Sequence, residues 1–229
     1  MLEILYQDDY FVAINKPHGL LVHRTGIATD ATEFALQLLR DQLGQYLYPV
    51  HRLDRKTSGV LLFAFDKQTN TQLQAQLHEP STQKKYIALV RGYFPDRVTV
   101  DHPLTNDRGK TQEAITDFEC LEQIELPVPL GNFQTSRYSL IAAYPRTGRM
   151  HQIRKHCNHL RHPIVGDRPH GCNKQNRLFK EKWQLTNMLL HAQSFGLKRT
   201  SDNQNILIKA PFSSEFQRIL TTFALQLPH

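Results

Sequence analysis

A chain of 229 residues with 40% hydrophobic content is long enough to bury a sizeable core, as one large domain or two small ones. Its mean hydropathy of −0.48, with no apolar run near the ~18–20 residues that span a bilayer, argues against a helical membrane protein, and Glu3, Asp8 and Asp9 stand where a secretory signal would be basic; a soluble, cytoplasmic protein is expected. Lys and Arg number 28 against 21 acids, a net charge of +7 that favours a polyanionic partner, and Cys120, Cys157 and Cys172 form no CxxC pair that would suggest a disulfide framework or a thiolate zinc site.

In chain order, LEILYQ and YFVAIN read as two short strands joined at an Asp-Asp turn, and Asn15-Lys16-Pro17-His18-Gly19 follows with turn chemistry. LLVH is predicted as another short strand. A helix is predicted over 31–43, with Asp30 and Glu33 as a capping box, Phe34, Ala35, Leu38 and Leu39 as its apolar face and Gly44 as its stop. VLLFAF (60–65) reads as a buried strand, 67–78 as a polar helix, and 85–93 as an alternating strand. Further strands are predicted at 115–121, 136–144 and 205–210, with 126–131 (LPVPLG) a proline-broken loop. Residues 149–161 carry a helical stripe of Met150, Ile153, Cys157 and Leu160 that ends before Pro163, and a last helix is predicted over 213–226. Many strands with few, dispersed helices give an α+β fold with a mixed, mainly antiparallel sheet, in a single domain over 1–229.

The charge is unevenly spread. Residues 146–161 hold Arg146, Arg149, Arg154, Lys155 and Arg161 without an acid, and residues 161–182 add Arg168, Lys174, Arg177, Lys180 and Lys182 against Asp167 and Glu181. Such a run is either a solvated face or a nucleic-acid contact surface, and the interleaved histidines and aromatics favour the second.

Within HRLDRKTSGV (51–60), Asp54 sits among His51, Arg52, Arg55 and Lys56. Neighbouring cations favour an ionised carboxylate, which can serve as nucleophile or base; the plainer alternative is a turn acid balancing the arginines. No second carboxylate is selected by spacing, so the two-acid arrangement of glycosidases is not indicated. In GRMHQIRKHCNHLRHP (148–163), His151, His156, His159 and His162 invite a metal, but their spacing spreads them around a helix, and a basic helix facing phosphates is the simpler reading. Arg154 could lie at a cleft rim and pair with a carboxylate. Tyr86 is either a cross-strand aromatic or a ring that stacks on a base. Lys16 and Gly19 either build a turn or offer a cation and close backbone approach to phosphate. His191 reads as a core histidine.

Taken together, NKPHGLLVH, HRLDRKTSGVLLFA, KKYIALVRG, TGRMHQIRKH, HPIVGD and LLHA resemble, in this order, the RluA-type pseudouridine synthases. The resemblance spans nearly the whole chain and implies that family's catalytic fold, with an active-site cleft across the sheet. Because the first strand starts almost at Met1, no N-terminal S4-like RNA-binding domain is expected. LEILYQDD, RDQLGQ and LPVPLGNFQTSRYSL look most like a branch that acts on tRNA, at uridine 65. The resemblance implies that Asp54 is the catalytic aspartate and that Arg52 fills the space of the flipped nucleotide. It implies that Tyr86 stacks on the target base, that Ile153 lines the pocket, and that Arg154 pairs with the catalytic aspartate. Flipping a nucleotide costs a few kcal/mol, which a stacked Arg52 would partly offset. Losing the Arg154 partner would leave a buried charge at a cost on the order of 3–5 kcal/mol. The isomerisation is expected to need no metal or cofactor, and the enzyme to work as a monomer without an obligate protein partner. A related enzyme acting on rRNA, a non-catalytic RNA-binding module and a histidine-ligated metallohydrolase are the alternatives.

Overall fold

The computed structural model describes residues 1–23 and 32–227. Its elements in chain order are β1 (Glu3–Gln7), β2 (Phe11–Lys16), α1 (Ala35–Leu43), β3 (Tyr48–Pro49), β4 (Ser58–Ala64), α2 (Lys67–Gln76), β5 (Gln83–Arg91) and β6 (Arg97–Asp101). There follow β7 (Leu104–Thr105), β8 (Thr111–Gln112), β9 (Ile115–Leu126), β10 (Ser136–Pro145), α3 (Gln152–His159), α4 (Asn173–Trp183), β11 (Leu190–Lys198), β12 (Asn205–Lys209) and α5 (Ser214–Thr222). The fold is the predicted α+β, with mainly antiparallel sheet flanked by helices. The described residues fall into two compact units, Met1–Lys84 with Ala192–Phe212, and Lys85–His191 with the segment from Ser213.

In the first unit, β4 lies beside β2 in antiparallel register from Lys16↔Gly59 to Phe11↔Ala64, and all seven of its residues are buried, as the apolar run from Val60 demands for most of its length. The β1–β2 turn is built by Asp8, whose Oδ1 accepts from the N–H of Tyr10 (2.8 Å) and of Phe11 (2.9 Å). Asp66 caps α2, its Oδ1 accepting from Thr69 N (2.8 Å) and its Oδ2 from the Thr69 hydroxyl (2.7 Å). Phe11, Val60, Leu62, Leu73, Phe195 and Ile208 share the core of this unit.

In the second unit, β5, β10, β9 and β6 pair in that order, all antiparallel. Val90, Phe94, Phe118, Ile141, Ile153, Cys157, Ile164 and Met188 form its main cluster. A separate aromatic group joins Tyr138 of β10 to Phe179 and Trp183 of α4 and to Phe223 after α5.

Several expectations are corrected at their edges. LLVH is not a strand; among the described residues its ladder contact is a single bridge from Leu21 to Phe34. The first helix begins at Ala35, with Phe34 as an N-cap that makes no side-chain bond, and the proposed capping acid Asp30 lies outside the described residues. Gly44 does end it, at φ 66°, with its N–H on the Arg40 carbonyl (2.8 Å). The 149–161 helix shrinks to α3, leaving Met150 40% exposed, because His151 takes the left-handed conformation (φ 57°) just ahead of it. Helix α4 was hidden by its charge: Gln175 and Phe179 are its only buried side chains, too few for a periodic signal.

Candidate active site

The Asp54 loop departs from the sheet at a defined point. After Pro49↔Phe63, Val50 N donates to Leu62 O (3.0 Å), and Leu62 N in turn donates to the Nε2 of His51 (3.3 Å). An imidazole therefore stands where the next backbone carbonyl of a ladder would be, and the chain from Arg52 onward is released. The His51 ring stacks on Phe195, with centroids 5.3 Å apart. Accepting at Nε2 requires an uncharged ring, and burial pushes its pKa down to about 4.

Beyond this point Arg52 is exposed, Leu53 is buried and Asp54 is half-buried, and the turn closes with Thr57 N on the Asp54 carbonyl (3.0 Å). Gly59 follows with φ +110°, and a Cβ there would meet the Ala192 carbonyl oxygen at 2.2 Å. The TSG and LLHA motifs are thus two sides of one close backbone contact.

The NKPHG segment clamps the same loop. Lys16 is fully buried, and its Nζ donates to the carbonyls of Pro17 (2.9 Å), Leu20 (2.8 Å) and Arg55 (3.2 Å). Gly19 N donates to Arg55 O (2.8 Å), and Arg55 Nε returns a bond to Gly19 O (3.0 Å). Burial lowers the Lys16 pKa to about 7, while the Asp54 carboxylate opposes the shift. Of the two sequence readings, the structure selects the turn: Lys16 is a strut, fully enclosed.

The remaining predicted residues lie in the second unit. Tyr86 sits on β5 opposite Ala143 and packs, half-buried, against the cluster that contains Ile153, which is 6% exposed. The start of α3 is fixed by Gln152, a residue that no sequence signal singled out. Its Oε1 accepts from the Thr147 hydroxyl (2.7 Å) and Arg149 N (3.0 Å), and its Nε2 donates to Ile115 O (2.9 Å) and the Thr116 hydroxyl (2.9 Å). This anchors Ile153 and Arg154 on the inner face of α3.

Arg154 forms a bidentate pair with Asp167, Nε to Oδ2 at 2.7 Å and Nη2 to Oδ1 at 2.8 Å, with side chains 5% and 1% exposed. Burial works to raise the Asp167 pKa, but the Arg154 hydrogen bonds and charge, with the His170 N–H and ring, hold the carboxyl below its usual range. Asp167 is the residue that the motif reading missed. The available signal was its place after Gly166 in HPIVGD, a lone acid amid a basic run.

The four histidines of the α3 region are taken up by ordinary hydrogen bonds and ring contacts, two of them at His102. His151 Nδ1 lies 2.9 Å from His170 Nε2; His156 bonds the Thr116 hydroxyl and the His102 carbonyl; His159 stacks on His102; His162 bonds the Arg91 carbonyl. Among the described residues no three His, Cys, Asp or Glu side chains are arranged to hold a metal ion.

A family model for RNA pseudouridylate synthases matches residues 10–159, and the chain belongs to this family. Its relatives include tRNA pseudouridine synthase C of Vibrio cholerae, 42% identical over 99% of this chain and 97% of the relative, and that of Haemophilus influenzae, 41% identical over 97% and 98%. Among solved structures, human RNA pseudouridylate synthase domain containing 4 matches 99% of this chain and 95% of its own, at 25% identity and a TM-score of 0.74. Human RNA pseudouridylate synthase domain containing 1 shares the fold, with a TM-score of 0.71 at 23% identity over 100% of this chain and 97% of its own.

Proposed function

We propose that the protein isomerises uridine to pseudouridine in tRNA, with Asp54 as the catalytic carboxylate. The observation that carries this reading is the HRLDRKTSG loop itself: in a chain of this family, its one acid is held half-buried by a buried lysine strut, a ladder-mimicking histidine and a close-contact glycine. Relatives named tRNA pseudouridine synthase C, matched over nearly their whole length, supply the substrate class. The family match runs through both compact units, which supports one catalytic domain.

The reaction breaks N1–C1′, joins C5 to C1′ and moves a proton from C5 to N1. Atoms and charge balance without a co-reactant. The detached uracil must be held by both faces while it turns. Tyr86 and Ile153, which share one apolar cluster, suit that task. Arg52, exposed beside Asp54 in the same loop, is the cation that enters the RNA stack when the nucleotide flips. Arg154 is the arginine assigned to the catalytic carboxylate, a role that rests on its place in the HQIR motif.

Purified Asp54→Asn enzyme tests the reading. It is expected to fold and bind tRNA yet form no pseudouridine; measurable product from it would remove Asp54 from the chemistry. Mapping pseudouridines in RNA from cells lacking the protein sets the target: loss at tRNA position 65 is the expected outcome, and loss from rRNA would move the substrate.

A further inference from the structure

Asp167 sits in a loop shaped around it. Gly166 adopts φ +82°, and a Cβ there would lie 2.0 Å from the Asn187 carbonyl oxygen. At Gly171 a Cβ would lie 1.7 Å from the carbonyl oxygen of Asp167 itself. Asn176, from the first turns of α4, donates through Nδ2 to that carbonyl (2.7 Å), and its Oδ1 accepts from Gly166 N (2.8 Å). The carboxylate then takes the Nε–Nη2 edge of Arg154. A guanidinium gripped along this edge cannot rotate about its terminal bonds without breaking two charge-assisted hydrogen bonds. Two glycines admitting close backbone contacts and an asparagine holding both sides of the carboxylate's own residue are more than a surface ion pair requires.

We infer that Asp167 is a positioning residue for the isomerisation: it fixes the plane of the Arg154 guanidinium and balances its charge, so that Arg154 meets the reacting site in one orientation. The inference rests on the catalytic reading of Arg154. It adds a residue that touches neither substrate nor reacting atoms and acts through another side chain.

Asp167→Asn removes the charge and keeps the shape. Under conditions where the variant is folded, kcat is expected to fall at least tenfold while KM for tRNA changes less than twofold. In an Arg154→Lys background, Asp167→Asn should then cost less than twofold, because its route to the site is already lost. Multiplicative losses in the double variant would show that Asp167 acts independently of Arg154 and overturn the inference. So would full kcat in Asp167→Asn alongside an impaired Arg154→Lys. Full turnover by Arg154→Lys would instead sink the catalytic reading of Arg154.

Should Asp167→Asn not fold, nitrogen-15 NMR of the unaltered protein decides. Arg154 Nε–H, assigned by its loss in Arg154→Lys, should exchange slowly with water and show hindered guanidinium rotation. Fast exchange and free rotation would contradict a fixed plane.

Discussion

The Nζ of Lys16 donates to the backbone carbonyl of Arg55 at 3.2 Å, tying the end of β2 to the turn that carries Asp54. The same ammonium reaches Pro17 and Leu20, so three carbonyls converge on one fully buried cation. Lys16→Met keeps the length of the side chain but strands those acceptors. Unsatisfied buried polar groups cost roughly 1–3 kcal/mol each, and partial relaxation gives an expected loss of about 3 kcal/mol. Urea unfolding measures it, and activity should fall with the displaced Asp54 turn. Unchanged stability would mean that the strut is dispensable.

His51 makes the fold sensitive to acid. Its ring accepts from Leu62 N, and burial holds its pKa at about 4, below the unfolded value of about 6.5. Between these pH values the unfolded chain binds the proton and the folded chain does not. Stability therefore rises with pH through this window, and on acidification it is lost progressively from about pH 6.5 down to about 4. His51 alone contributes about 3 kcal/mol of this change, and His18, also lowered to about 4, acts in the same direction. His51→Gln should flatten the pH dependence of the urea midpoint by nearly one proton; an identical slope in the variant would refute the assignment.

Gly59→Ala tests the contact between TSG and LLHA. At φ +110°, with the Ala192 carbonyl oxygen 2.2 Å from where the new Cβ would stand, no side-chain rotation relieves the clash, since both partners are fixed by backbone. An expected cost above about 4 kcal/mol leaves little or no folded protein in the soluble fraction. A well-folded, active Gly59→Ala would show that β4 and Ala192 can separate.

Much of this was legible in the sequence because the strands announce themselves. VLLFA is uniformly buried, with the Phe65 that follows half-buried, and the paired strands of 2–15 are set by an Asp turn with an ordinary signature. The motifs located Asp54, but why their glycines stand where they do was not readable. The Gly59–Ala192 and Gly166–Asn187 approaches join residues remote in sequence, and periodicity carries no trace of them. Asp167 was hidden for the same reason: its partner Arg154 lies on another element, and by composition it was one acid in a basic tract. Helix α4, which helps to hold that acid, buries so few side chains that its pattern reads as charge alone.

Arg52 separates RNA contact from folding. It is exposed in the Asp54 loop, so Arg52→Ala should leave stability within about 0.5 kcal/mol of the parent, in contrast with the buried strut variant Lys16→Met. If it enters the RNA stack as the target nucleotide leaves, the variant loses both a stacking surface and a charge near phosphates. Base stacking on a side chain is worth about 1–3 kcal/mol, so tRNA turnover at subsaturating substrate should fall by roughly tenfold to a hundredfold. The salt dependence of tRNA binding should weaken by about one counterion. Circular dichroism melts, kcat/KM and binding titrations over a salt series give the three readings. A variant with unaltered melting but normal kcat/KM would place Arg52 outside the RNA contact, and one that melts early would make it a structural residue of the loop.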